Sequence, residues 1–308
     1  MTQRPDVEYQ VVLLDTEEVN AMSLPGGYVC VTRGLFGTVE SIHELAGVLA
    51  HEMAHNCTYD ALNEAKRAQE LTLPVLAAMI AAMVTGGRTG TAAVAEAGIV
   101  VAQGILSTYS VEVESRADKN GVSYLLKCGA YNPVGMLTFM ERLAAEERSR
   151  PQITMGIYQT HPLSVDRVTA IADQLAAAGT LINRRAVTKW NPPQITEGNL
   201  GEQPVQVLSL WGQDLLTFNW APPGSDLAQR GETMVQRLTD LLAAGAEGWE
   251  FAGNLTDGGA VIEARGVEAI RLYPQDASLR GVPMSELLTE VQQALDSAFF
   301  TERLKRRY

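Results

Sequence analysis

Leu45-Ala46-Gly47-Val48-Leu49-Ala50-His51-Glu52-Met53-Ala54-His55 is an apolar run that ends in the pattern HExxH. On a helix, positions i and i+4 share one face, so the imidazoles of His51 and His55 can reach one ion. Glu52 follows His51 and can reach a water beside that ion. Two neutral ring nitrogens with a neighbouring carboxylate suit zinc, with Glu52 as general base. The bland alternative is a buried helix carrying two satisfied histidines. It is the costlier reading, because two imidazoles and a glutamate on an apolar helix are expensive to bury without a partner.

A catalytic zinc needs three protein ligands and one open position. After His55 the chain runs Asn56-Cys57-Thr58-Tyr59-Asp60, and the next histidine is His161. The third ligand is therefore expected on a second helix. The segment Thr108 to Asp118 supplies it: Glu114 and Asp118 are four apart and share a side, with Glu114 placed to ligate. Asp118 can accept the proton of a ligand histidine's far nitrogen and fix its orientation. Glu112 lies about 200° around the helix from Glu114 and faces elsewhere. Taken alone, this segment would be an exposed acidic face with Arg116 nearby.

With those residues in place the chain resembles the HtpX- and BepA-type zinc metallopeptidases, gluzincins related to the CAAX prenyl proteases. Four blocks carry the resemblance, over about residues 8 to 178: Asn20 to Leu35; Glu44 to His55; Tyr109-Ser110 with Glu114, Ala117-Asp118 and Gly121; and Thr160-His161-Pro162 with Arg167. The resemblance implies one Zn²⁺ per chain held by His51, His55 and Glu114, Asp118 supporting a ligand, and a polypeptide substrate. Val111 stands where the family often has arginine. Val7 to Leu14 already reads as a strand where the family usually has a preceding helix, so the chain is expected to start inside a longer natural protein.

The resemblance also places His161 near the metal. There it donates to the oxyanion of the tetrahedral intermediate, or it occupies the open metal position in a resting state; the residues do not choose between these. The strand Tyr28 to Thr32, entered through Pro25-Gly26-Gly27, is expected to offer Gly27, Tyr28, Val29 and Cys30 as an edge for an extended substrate. His43 reads as a surface residue. Cys30, Cys57 and Cys128 contain no CxxC pair and read as small buried residues.

The composition, 46% hydrophobic and 19% charged over 308 residues, is that of a chain able to bury a sizeable core. A net charge of −12 argues against nucleic-acid partners, and the run Lys305-Arg306-Arg307 reads as a solvated tail. The apolar stretches Leu71–Val84 and Ala92–Leu106 fall short of a membrane span, which needs about 20 residues. They read as a buried helical hairpin, with a membrane-touching hairpin as the minority option. No signal peptide is visible.

The expected fold class is α+β, in three parts. Residues 1–190 form a mostly helical gluzincin metalloprotease domain with a small sheet, 191–204 a linker, and 205–308 a small β-β-α-β-β-α module. That module has no histidine or cysteine and loosely resembles modules of exported bacterial proteins found beside membrane channels. The likeness points to the bacterial cell envelope (periplasm), a missing signal or anchor, and an envelope or membrane protein partner; the cytoplasm is the alternative. Two function classes follow. One is a zinc endopeptidase. The other is an autoinhibited or inactive metal-containing chaperone or adaptor; a dead scaffold would have no physical need for Glu52.

Overall fold

The structure is a computed structural model, and it describes residues 2–67, 109–149, 156–157, 161 and 165–305. Both apolar stretches between residues 71 and 106 lie outside the described residues. The chain divides into two compact units, Met1–Thr188 and Lys189–Arg307.

The first unit opens with three strands, β1 (Gln10–Leu14), β2 (Ala21–Leu24) and β3 (Tyr28–Thr32). The sheet order is β1-β3-β2, with β1 parallel and β2 antiparallel to β3. β2 and β3 form a hairpin closed by Gly26 and Gly27, both at φ +91°. A side chain at Gly27 would stand 2.6 Å from the Glu8 carbonyl oxygen, so glycine is required for close packing as well as for the turn. β3 is the central strand, bonded along both edges, and this corrects the expectation that Gly27 to Cys30 offers a substrate edge. The long-range parallel pairing of β1 is what buries the strand.

Helices follow: α1 (Arg33–Thr38), α2 (Ile42–Cys57), α3 (Asp60–Arg67), α4 (Val111–Cys128), α5 (Val134–Ser149) and α6 (Val165–Ala177). Ser41 caps α2 by accepting from Glu44 N, and Ser110 caps α4 by accepting from Val113 N. Each cap satisfies an end amide that has no partner within its helix. α4 stops at Gly129, which takes the left-handed conformation at φ +66°. Apolar faces of α2, α4, α5 and α6 meet in a core that includes Ala46, Ala50, Val122, Leu125, Leu137 and Ile171. The α2–α5 crossing is close because it is made at glycines: a Cβ at Gly47 would lie 2.6 Å from Met136 Cα, and one at Gly135 2.4 Å from the His43 carbonyl carbon. Buried Glu44 pins the same crossing through Arg142 (2.8 and 2.6 Å) and Thr138 (3.0 Å).

Two smaller readings are corrected. His43 is half-buried and accepts from Asn132 N at 3.2 Å. Cys128 is exposed, because it sits in the last turn of α4.

In the second unit, β4 (Gln194–Leu200), β5 (Gln203–Leu210) and β6 (Gln213–Phe218) form one antiparallel meander, and β7 (Ala252–Thr256), β8 (Gly259–Ala264) and β9 (Val267–Leu272) another. Helices α7 (Leu227–Ala243), α8 (Pro274–Arg280) and α9 (Met284–Lys305) pack with them around Leu208, Phe218, Leu238, Ile262, Ile270 and Leu295. The α+β class stands, but the module runs β-β-β-α-β-β-β-α-α. The expected linker 191–204 contributes β4, and the second β-β pair becomes three strands because the chain turns back between β8 and β9 at Arg265 and Gly266, both at positive φ. Among the described residues no helix is long and apolar enough to cross a membrane.

Candidate metal centre

α2 delivers His51 and His55 one turn apart, and α4 crosses it at Gly121, whose Cβ position lies 3.2 Å from His51 N. This approach brings the first turn of α4, with Glu114, over the two imidazoles. His51 Nε2 stands 3.1 Å from His55 Nε2 and 3.4 Å from Glu114 Oε2, and His55 Nε2 stands 3.2 Å from Glu114 Oε1. His161 joins them: its Nδ1 is 3.2 Å from His51 Nε2 and 3.1 Å from Glu114 Oε1. Donor atoms of all four residues lie within 4.8 Å of one another, and all four side chains are buried.

A divalent metal is the natural tenant of such a set, and the spacing tests the fit. A tetrahedral zinc sphere with bonds near 2.05 Å has ligand–ligand edges of about 3.3 Å. The five separations quoted above, each taken to one or other Glu114 oxygen where Glu114 is involved, run from 3.1 to 3.4 Å, and the whole set lies within 4.8 Å. Chemistry gives a second test. His51 Nδ1 lies 2.9 Å from Asp118 Oδ1, and His55 Nδ1 lies 3.0 Å from Asp60 Oδ2. With those protons on Nδ1, both Nε2 atoms carry lone pairs that face each other, a repulsive contact unless a cation or proton lies between them.

The electrostatics agree. Burial by itself would lower the pKa of His51, but Glu114 and Asp118 outweigh it and push it up to about 10. His55 is raised against the same burial by Asp60 and Glu114. Glu114 is held well below the usual carboxylate range, as His161 and His51 overcome the cost of its burial. Asp118 is lowered likewise by His51 and Arg167. This is a pocket that favours positive charge.

Around the cluster, Asp118 receives both Arg167 nitrogens, Nε at 2.7 Å and Nη2 at 2.9 Å, and Arg167 Nη2 also reaches Glu114 Oε2 at 2.9 Å. Glu52 is buried, with Oε1 3.4 Å from His161 Nε2. An apolar hollow lined by Val48, Phe139, Met140 and Ile157 adjoins His51, Glu52 and His161.

The cluster thus brings together His51, Glu52, His55, Glu114, Asp118 and His161. It does not include Gly27, Tyr28, Val29 or Cys30, which lie in the turn and central strand of the sheet. Sequence reasoning missed Asp60 and Tyr109 as contacts of His55; Tyr109 stacks on its ring at 4.5 Å and 10°. It saw Arg167 only as part of a motif. Asp60 had a signal, an acid five residues past HExxH at the start of a helix, but only the turn at Tyr59 makes it useful.

Comparison with known proteins matches the chain to peptidase family M48 over residues 1–175. It is 31% identical over 167 residues to the beta-barrel assembly-enhancing protease of Escherichia coli, covering 52% of this chain and 33% of that protein. It is 29% identical over 173 residues to the metalloprotease LoiP of Escherichia coli, covering 56% and 64%. It is 25% identical over 173 residues to the mitochondrial metalloendopeptidase OMA1 of Schizosaccharomyces pombe, covering 56% and 48%. The chain spans less than two thirds of each of these relatives.

Proposed function

This chain belongs to peptidase family M48, and we propose that it is a zinc-dependent endopeptidase acting on polypeptides. The observation that carries the reading is the buried meeting of His51, His55 and Glu114 at tetrahedral spacing with Glu52 beside them. His51, His55 and Glu114 would hold the ion, with Asp118 fixing His51. Zinc held there would supply Lewis acidity, acidifying water and polarising a peptide carbonyl. Glu52 takes the proton of the attacking water as the new C–O bond forms. It returns that proton to the amine nitrogen as the C–N bond breaks, leaving a carboxylic acid and an amine, and the acid's own proton then passes to the amine to give a carboxylate and an ammonium.

His161 marks the resting state in this reading. Its Nδ1 faces the same point as the three ligand atoms, so it closes the position that substrate must use. The alternative, an inactive metal-containing adaptor, draws support from the same contact. Removing the ring as His161→Ala separates them, since an autoinhibited enzyme gains activity and an adaptor stays silent.

The substrate we infer is an unfolded or misfolded chain of the bacterial cell envelope, in keeping with the name of the beta-barrel assembly-enhancing relative. Extended substrate would pair with β2, the outer strand joined to α2 through Asn56 Nδ2 and the Leu24 carbonyl (2.6 Å). The second unit, which lies outside the family match, would recruit envelope proteins or substrates.

The test is Glu52→Gln assayed with casein and by metal analysis. The variant should keep one zinc per chain and lose cleavage by about 100-fold or more. Equal cleavage by the variant would remove Glu52 from its role, and a wild-type chain that binds no zinc would end the proposal.

A further inference from the structure

We propose that Asp60 is a positioning residue for His55, holding the proton on Nδ1 so that Nε2 presents its lone pair to the metal position. The inference rests on the metal-holding role given to His55 above. Asp60 is the first residue of α3, five positions after His55, and a straight continuation of α2 would carry it away from that ring. The chain turns instead. Tyr59 takes φ +57°, a left-handed conformation that is unfavourable for a tyrosine. This turn brings Asp60 Oδ2 back to 3.0 Å from His55 Nδ1.

The carboxylate is itself fixed. Thr58 Oγ1 donates to Oδ2 at 2.5 Å, and Arg116 Nη2 donates to Oδ1 at 2.6 Å. Asp60 is buried, with its side chain 4% exposed, whereas Arg116 is half-exposed. Tyr109 covers one face of the His55 ring, so stacking sets the ring plane and Asp60 selects which nitrogen points inward. A flipped ring would aim carbon and Nδ1 at the cluster.

The arrangement parallels that of His51, whose Nδ1 lies on Asp118 with Arg167 behind it. The two shells differ in one useful respect. Arg167 is sealed inside, while Arg116 is reached from solvent. Arg116 also comes from α4, two residues after Glu114, so it ties the Asp60 turn to the helix that carries the third ligand.

The test measures zinc affinity by competition with a chromophoric chelator for the full chain and for Asp60→Ala, Asp60→Asn and Arg116→Gln. Loss of a carboxylate behind a ligand histidine lowers metal affinity about 10- to 100-fold, and Asp60→Ala is expected in that range. Asp60→Asn keeps a carbonyl that can accept from Nδ1–H, so it should recover part of the loss. Arg116→Gln, at a half-exposed position, should weaken binding by a few-fold with the fold intact. Long-range ¹H–¹⁵N spectra of the zinc-free chain should show the His55 ring nitrogens altered in Asp60→Ala and near wild type in Asp60→Asn.

Affinities within twofold of wild type in all three variants, or unchanged His55 ring-nitrogen shifts in Asp60→Ala, would overturn the assignment. Should Asp60→Ala fail to fold, Asp60→Asn and Arg116→Gln decide it by the same affinity measurement. A wild-type chain without zinc affinity would refute the metal reading instead, and the ring-nitrogen shifts would still judge Asp60.

Discussion

Replacing Arg167 by methionine removes a buried charge while roughly keeping its volume, and the structure sets the size of the effect. The guanidinium is 1% exposed and donates to both Asp118 oxygens and to Glu114. Its loss leaves two carboxylates, Glu114 fully buried and Asp118 3% exposed, without their permanently charged partner. Breaking a buried ion pair from one side costs about 3–5 kcal/mol. His51, 2.9 Å from Asp118 and 3.4 Å from Glu114, stays behind as a positive partner when protonated. The lower end, about 3 kcal/mol, is therefore expected. For a unit of this size each kcal/mol lowers Tm by about 2–4 °C, so the fall should be about 6–12 °C. The assay is thermal unfolding followed by circular dichroism, once in chelator and once in saturating zinc. Because there are two units, the transition to follow is the one that zinc shifts. In zinc the ion takes over neutralisation of Glu114, so the fall should be smaller than in chelator. A fall below about 2 °C in chelator would show that Arg167 does not neutralise these carboxylates, and the charge account of the cluster would fail.

Two further perturbations probe the same centre and its support. In the metal-free chain His51, with its pKa pushed up to about 10, carries a proton at pH 7.5, and zinc must expel it. Calorimetry in buffers of different ionisation enthalpy should report about one proton or more released per ion near neutral pH, falling as pH approaches 10. By the same linkage, the stability that protonated His51 gives the metal-free chain is complete below its unfolded pKa of about 6.5 and is lost as pH rises through 10. A flat metal-free stability profile from pH 7 to 10, with no proton release on zinc binding, would contradict this. Gly47→Ala forces a Cβ to within 2.6 Å of Met136 Cα, a backbone atom that cannot rotate away, and should cost about 1–3 kcal/mol. Gly37→Ala, with no atom within 4 Å of its Cβ position, should be neutral or stabilising by about 1 kcal/mol. Equal effects in denaturant unfolding would remove the close crossing from the argument.

The parts of this chain that were legible in its sequence are those whose meaning is set within one helix. His51 with His55 and Glu114 with Asp118 share a side because they are four apart, and neutral imidazole beside carboxylate has few other uses. What depends on chain reversal or strand order was not legible. Asp60 acquires its contact with His55 only through the left-handed turn at Tyr59. β3 is central only because β1 pairs with it in parallel across a hairpin. β4 is mostly exposed and lacks an alternating apolar face, so its composition resembled a linker. His161 was visible as a motif, yet the side it presents to the cluster follows from the packing of a segment more than a hundred residues from His51.

The position of the centre along its helices also bears on why a cation belongs there. His55 lies in the last turn of α2, where the aligned peptide dipoles make the helix end negative and favour a positive charge. Glu114 lies in the first turn of α4, where free amides favour an ionised carboxylate. The two helix ends therefore act in the same direction: α2 favours a cation at this point, and α4 favours the ionised form of Glu114, the ligand proposed to hold it. Because α2 and α4 meet at Gly121, with its Cβ position only 3.2 Å from His51 N, a bulkier residue there would push the helices apart. Ligand edges of about 3.3 Å leave little room for such a shift. Widening that crossing should weaken zinc binding without touching a ligand, so the metal affinity of Gly121→Val, compared with its effect on stability in chelator, measures how far the backbone contact sets the site.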